Sequence, residues 1–221
     1  MTTVLDIRRH QELIDTERFD DPVIVIGAGA TGSWLVLQLA KLGITNITVY
    51  DFDVVEEHNV PNQLFGLHDV GTHKVEALYE HVLQQTGTAI FIKNEPYVAQ
   101  RLSGYVFCMV DSMAVRKQIW EQAKGKSAIK HFVEPRMGLD YGRVYNVNPT
   151  DLEQQRRYED CFYSDDEAEV SACGTSQTVI TTAMNIASHC ARQLINHHNG
   201  VELGNEIMID LMYNNVIATK W

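Results

Sequence analysis

Positive charge is scarce in this chain. Eighteen lysines and arginines stand against 29 aspartates and glutamates over 221 residues, a formal charge of −11. That balance excludes the basic footprint that a nucleic-acid or anionic membrane surface requires. Cysteine is sparse and unpaired. Cys108, Cys161, Cys173 and Cys190 form no C-x-x-C, so the spacing of a structural zinc site is missing, and isolated thiols fit a reducing, cytoplasmic setting better than a disulfide scaffold. No apolar core follows the charged start that holds Asp6, Arg8, Arg9 and His10, so no signal peptide is expected. The long stretch without charge, Val23 to Ala40, carries three glycines and a polar Thr31-Gly32-Ser33 centre, which argues against a membrane span. Repeats and low-complexity segments are also missing.

What is present is an ordinary globular composition, 45% hydrophobic and 21% charged, enough for one domain spanning residues 1–221. Gly27-Ala28-Gly29-Ala30-Thr31-Gly32 follows the run Val23-Ile24-Val25-Ile26. The first two glycines allow a tight turn and close backbone approach to phosphate; the third lets the next helix pack tightly on the strand, its N-terminal amides facing the anion. Ile47-Thr48-Val49-Tyr50 reads as the following strand, so Asp51 sits where a carboxylate takes ribose hydroxyls. Some nucleotide is therefore expected.

The rest alternates strand and helix. A short polar helix is expected over Ile7 to Thr16, too charged for the core, then the glycine-loop helix to about Leu42 with Gly43 as its stop. A polar loop runs from Val54 to Asp69, and a second helix opens at Gly71-Thr72-His73-Lys74 and continues to about Gln85. Strands are expected at Ala89–Lys93, Tyr105–Val110, Ile129–Val133 and Arg143–Val147, with a helix over Ala114–Lys124. Residues 151–177 begin with eight acids between Asp151 and Glu169 and read as an acidic crossover loop. A long helix follows with one apolar stripe from Val179 to Ile195, ending at His197-His198, where imidazolium would complement the helix dipole. Glu206–Met212 and Val216–Lys220 read as a closing hairpin turning at Asn214-Asn215. The expected fold class is α/β: Rossmann-like, doubly wound, with a mostly parallel sheet and a C-terminal antiparallel hairpin.

A lone G-x-G-x-x-G does not choose between NAD, FAD and ATP. Here it is followed by Asp51-Phe52-Asp53-Val54-Val55, Asn59, Gln63, Gly71-Thr72-His73-Lys74-Val75 and a strand ending Val110-Asp111. The carboxyl ends of parallel strands line the ligand crevice, so Asp111 would face the same nucleotide as Asp51. An acid at the phosphate end can hold Mg, and Lys74 can meet a phosphate as a point charge. A redox dinucleotide needs neither.

That ordered set, over roughly residues 20 to 115, resembles the ThiF/MoeB/HesA superfamily of ubiquitin-activating-enzyme-like adenylyltransferases. The resemblance implies Mg-ATP binding, attack of a carboxylate on the α-phosphate and release of pyrophosphate from an acyl-adenylate. The carboxylate would be the C-terminus of a ubiquitin-like or sulfur-carrier protein, and the enzyme a homodimer. Carried over by residue, Gly27, Gly29 and Gly32 line the phosphates, and Asp51 takes the ribose. Asp53, Asn59 and Gln63 shape the triphosphate end, Lys74 contacts phosphate, and Asp111 binds Mg. Arg8 or Arg9 corresponds to the arginine that such dimers offer to the neighbouring subunit. Cys173, in Ala172-Cys173-Gly174-Thr175, lies where relatives carry a thioester-forming cysteine. Two departures stand out. Asn62 occupies the place of an arginine that often precedes the glutamine, with Arg136 the candidate replacement, and the family's paired zinc cysteines are absent. The competing readings are a nucleotide-binding interaction module with reduced catalysis and an NAD- or FAD-dependent oxidoreductase.

Overall fold

Every residue of the first strand, β1 (Val23–Ile26), is buried, because the strand lies inside an eight-stranded sheet covered by helices on both faces. The computed structural model describes residues 5–14, 16, 19–164 and 178–221. Within them the elements run β1, α1 (Ala30–Lys41), β2 (Ile47–Tyr50), α2 (Lys74–Thr86), β3 (Phe91–Lys93), β4 (Gly104–Cys108), α3 (Met113–Ala123) and β5 (Ile129–Met137). They continue with β6 (Tyr141–Val147), α4 (Leu152–Glu159), α5 (Ile180–His198), β7 (Glu206–Asp210) and β8 (Asn215–Thr219).

The strand order is β3-β2-β1-β4-β5-β6-β7-β8. The pairings from β3 through β5 are parallel and those from β5 to β8 antiparallel. The chain leaves β1 toward β2 on one side and returns to it through β4 on the other. That reversal opens a crevice beyond the carboxyl ends of β1 and β4, the place where such sheets bind ligands. Helices α1, α2 and α5 pack on one face around Leu35, Leu39, Leu78, Ile186 and Leu194. On the other face α3 and α4 enclose Trp120, Phe132, Tyr145 and Tyr158.

The expected fold class holds, and its details sharpen. The antiparallel part is larger than a hairpin, since β6 also runs antiparallel: only residues 138–140 separate it from β5, too few for a crossover. At the closing turn Asn214 takes φ +53, while Asn215 already pairs with Asp210 in β8. Two expectations are overturned. Residues 8–13 form turns rather than a helix, and Ile14 is buried in the core at 1% exposure. The acidic segment opens with α4, because the Asp151 carboxylate accepts from the amides of Glu153 and Gln154 and so caps a helix; Tyr158 then anchors it in the core. Cys173 and the rest of 165–177 lie outside the described residues.

Two polar clusters inside the fold are structural. Glu134 is fully buried and salt-bridged to both Arg116 and Arg136, with the Tyr158 hydroxyl donating to it at 3.0 Å. At the end of α5, His197 stacks on His131 with ring centroids 4.6 Å apart, and its Nδ1 lies 3.1 Å from the Tyr105 hydroxyl. Burial lowers the pKa of His197 and pushes that of His131 down to about 3. The neutral form is therefore favoured at His197, against the expected imidazolium at the helix terminus.

Candidate nucleotide site

The glycine loop owes its shape to backbone contacts that a side chain would break. Gly27 has φ +103, and a Cβ there would lie 2.7 Å from the Met109 carbonyl oxygen. A Cβ on Gly32 would lie 2.1 Å from the carbonyl oxygen of Gly27. Gly29 differs: among the described residues, a Cβ would meet nothing within 4 Å beyond its own neighbours. Gly27 and Gly32 thus serve the protein's own packing, and Gly29 faces open space ahead of α1. This is the arrangement of a cradle for an anion at a helix N-terminus.

Asp51, at the end of β2, closes one side of the loop. Its carboxylate accepts from the Ala28 amide at 2.6 Å and from the Asp53 amide at 2.8 Å. Burial raises its pKa, opposed by those two amides and by the positive charge of Lys74. Lys74 is the first residue of α2 and is nearly buried, with 9% of its side chain exposed; its Nζ donates to Asp53 at 2.8 Å. Asp53 is half exposed, so this pair has one solvent-facing partner beside the loop. The Met109 contact with Gly27 brings the end of β4 against the loop, and the exposed Asp111 follows two residues later.

Between Asp53 and Lys74 the chain makes an excursion whose ends are tied by a Val54–His73 bridge and by Val55–Thr72 and Gly71–Val55 hydrogen bonds. It docks on the first turn of α1: Trp34 Nε1 donates to the Asn62 carbonyl at 3.1 Å, and the Leu64 amide donates to Ser33 Oγ at 3.2 Å. Asn59 uses its side-chain oxygen internally, accepting from the Glu56 amide at 2.9 Å. Among the described residues, the buried Gln63 Oε1 finds no hydrogen-bond partner, nor do the buried atoms Asn62 Oδ1 and His73 Nδ1. A buried polar atom left without a partner costs about 1–3 kcal/mol. Three such atoms in residues 62–73, beside an open anion cradle, fit a polar ligand that would satisfy them. The chemistry of Asp111 also fits Mg, since it offers hard carboxylate oxygens from an exposed position two residues after the Met109 contact with the loop. A separate depression of about 630 Å³ is lined by Val54–His58, Val70 and Gly71. Glu56 and Glu57 line it, so a polyphosphate would be repelled there.

The other sequence expectations fall elsewhere. Asn62 Nδ2 hydrogen-bonds Thr178 Oγ1, just before α5. Arg136 does not replace the missing arginine, because it points to the opposite face of the sheet. There it pairs with Glu134, donates to the Cys161 carbonyl at 2.6 Å and lies 4.5 Å over the Tyr145 ring. Arg8 pairs with Asp6 at 2.6 Å, whereas Arg9 makes no ion pair with a described residue. Both belong to a segment held at the far end of α1, where Ile7 packs near Gly43 and His10 Nε2 lies 3.3 Å from the Leu42 carbonyl. The 12-residue α1 is about 18 Å long, which separates these arginines from the glycine loop of their own chain. Cys108 and Cys190 are buried, and burial pushes the Cys108 thiol up to about 11. Sequence reading missed Ser33 and Trp34, which dock the excursion. The sequence signal was a hydroxyl beside an indole, two hydrogen-bonding side chains at the start of a largely apolar helix.

The ThiF family profile matches residues 16–217. Among curated proteins, the tRNA threonylcarbamoyladenosine dehydratase 2 of Saccharomyces cerevisiae is 44% identical over 61 residues, 27% of this chain and 14% of that protein. The probable adenylyltransferase/sulfurtransferase MoeZ of Mycobacterium tuberculosis is 40% identical over 62 residues, 28% of this chain and 16% of that protein. These alignments therefore span only a minor part of the relatives' length. In structure, Escherichia coli MccB superposes with a TM-score of 0.76 at 16% identity, covering 95% of this chain and 64% of MccB. PaaA superposes with a TM-score of 0.70 at 19% identity, covering 98% and 78%. The likeness to MccB and PaaA establishes the shared fold. With the profile spanning nearly the whole chain and the glycine loop, Asp51 and Lys74 in place, the chain belongs to the ThiF family.

Proposed function

We propose that this protein is an ATP-dependent adenylyltransferase that activates a carboxylate as an acyl-adenylate. The observation that carries the reading is Lys74, a buried lysine at the mouth of α2 held to Asp53 beside the open glycine cradle. A redox dinucleotide would give that cation no task, whereas a triphosphate presents it with charge. Names among the relatives, adenylyltransferase/sulfurtransferase and ubiquitin-like modifier-activating enzyme, support the same chemistry.

In this reading the amides behind Gly29 hold phosphate oxygens and Asp51 orients the ribose. Asp53, Asn59 and Gln63 shape the triphosphate end, and Lys74 stabilises negative charge on the departing pyrophosphate. A carboxylate oxygen attacks the α-phosphorus, the bond to the bridging oxygen breaks, and pyrophosphate leaves. Mg held by Asp111 would neutralise triphosphate charge when bound. Arg9, distant from its own cradle, would serve a second copy in a homodimer, with Arg8 restrained by Asp6. The carboxylate would be the C-terminus of a ubiquitin-like or sulfur-carrier protein. A peptide terminus is the close variant, given that MccB has been solved with MccA. Cys173 would take the acyl group as a thioester, its thiolate attacking the acyl carbon of the adenylate and AMP leaving.

Exchange of labelled pyrophosphate into ATP, dependent on a supplied carrier protein or peptide, tests the adenylation step. NADH binding without ATP affinity would overturn it. Cys173→Ser should abolish a reductant-sensitive adduct while leaving exchange intact. The second reading, a nucleotide-binding module with reduced catalysis, is favoured by Asn62 and by Arg136 being committed to Glu134. Tight ATP binding with no exchange for any carboxylate would select it.

A further inference from the structure

His68, Asp69 and His81 bring three metal-ligating atoms within 4.8 Å of one another, away from the proposed nucleotide cradle. His68 and Asp69 lie on a short 3-10 turn, Leu67–Asp69, and His81 projects from the middle of α2. His81 Nε2 is 2.7 Å from Asp69 Oδ2, and His68 Nε2 is 3.4 Å from Asp69 Oδ1. The carboxylate is already oriented from behind, since the Gly66 amide donates to its Oδ2 at 2.7 Å. Such outer hydrogen bonds are what hold metal-binding carboxylates in place.

We propose that His68, Asp69 and His81 form a zinc site with three protein ligands and one open position. Zinc bonds to imidazole nitrogen and carboxylate oxygen are about 2.0–2.2 Å, so tetrahedral ligands lie about 3.4 Å apart. The cluster needs only small changes to reach that geometry: the 2.7 Å contact opens, and the widest gap, at most 4.8 Å, closes. The exposed His68 ring, at 77% side-chain exposure, has room to move. His81 gives up its hydrogen bond to Asp69, its ring proton moving to Nδ1 so that the Nε2 lone pair faces the metal. Two imidazoles with one carboxylate suit zinc rather than Mg or Ca, which take oxygen ligands.

Bound zinc would tie the 3-10 turn to α2. That turn also joins the excursion from Asp53 to Lys74, because the Thr72 amide donates to the Asp69 carbonyl. The metal would act as a clasp on the segment carrying Asn59 and Gln63.

The test uses the full chain without an affinity tag, stripped with chelator and titrated with zinc sulfate at neutral pH. One equivalent is expected to bind with a dissociation constant of about a micromolar or tighter, at least tenfold stronger than in His68→Ala or His81→Ala. Cobalt in place of zinc should give the intense visible bands of a tetrahedral site, lost in both variants. Millimolar Mg should not displace zinc, and His58→Ala, which removes an exposed imidazole outside the cluster, should bind as the parent does. Because His68 is exposed, its variant is expected to fold even if His81→Ala does not. A parent protein that binds no zinc would overturn the site, as would His68→Ala binding zinc with undiminished affinity.

Discussion

Gly29→Ala should separate ligand binding from folding. A methyl at this position meets no atom of the described residues within 4 Å beyond its neighbours, and φ of −79° is open to any residue. The ψ of −148° lies about 30° beyond the extended region, a backbone cost of about 1 kcal/mol that offsets about 0.4–1 kcal/mol gained from a stiffer unfolded chain. The net change should stay within about 1 kcal/mol, or roughly 2–4 °C in Tm for a chain of this size. The methyl does, however, occupy the space in which phosphate oxygens would reach the amides. Losing one hydrogen bond to a charged group costs about 1.5–3 kcal/mol, which is about 10- to 150-fold in Kd. The companion Gly32→Ala drives a Cβ to within 2.1 Å of a backbone oxygen and should lose about 1–3 kcal/mol or more of stability. Calorimetric titration with ATP, beside thermal unfolding of the apo proteins, reads both quantities. The reasoning fails if Gly29→Ala binds ATP like the parent, or unfolds as early as Gly32→Ala.

Lys74→Met should lower pyrophosphate exchange by about a hundredfold or more while barely changing Tm, because the Asp53 left behind is half exposed; an intact exchange rate would remove Lys74 from the chemistry. Equal mixtures of Arg9→Ala and Lys74→Met chains should recover part of the activity that each lacks alone, through mixed dimers with one intact site; no recovery would refute the contribution of Arg9 from a second copy. Glu134→Gln leaves two buried guanidiniums without their carboxylate and should cost about 3–5 kcal/mol in chemical denaturation. His131 has its folded pKa, about 3, below the unfolded value of 6.5, so the unfolded chain binds the proton first as pH falls. Its contribution is therefore complete above pH 6.5 and lost on acidification toward 3, at up to about 1.4 kcal/mol per pH unit. Denaturation of His131→Gln across this range should show a shallower slope than the parent; parallel curves would refute it.

Much of the fold was legible because its signals are local. Val23–Ile26 followed by glycines can bury only as a central strand feeding a helix, and Asp51 falls at the next strand end by the same spacing. What escaped depended on partners distant in sequence. The direction of β6 follows from the length of the turn at 138–140. The helix α4 was hidden among acids, although Asp151 is an ordinary cap and Tyr158 its anchor. Ile14 was masked by charged neighbours, since turns rather than helical periodicity direct it inward. At the site, Gly27 and Gly29 share a role in the motif, yet Gly27 serves packing, as Gly32 does, while Gly29 faces open space among the described residues. That distinction exists only once Met109 and the Gly27 carbonyl are in position. Arg136 lies on a strand whose alternation sends it to the opposite face, so its charge alone misled.

The carboxylate of Glu134 between two guanidiniums also constrains how this sequence can change over time. Losing Glu134 alone strands two guanidiniums in a dry interior, so a route to an uncharged core that begins at the carboxylate passes through an unstable intermediate. Relatives that have lost Glu134 should have replaced Arg116 or Arg136 as well, and the three should vary as a block rather than independently. A barrier to single steps of this kind preserves an arrangement irrespective of whether it is the most stable one available.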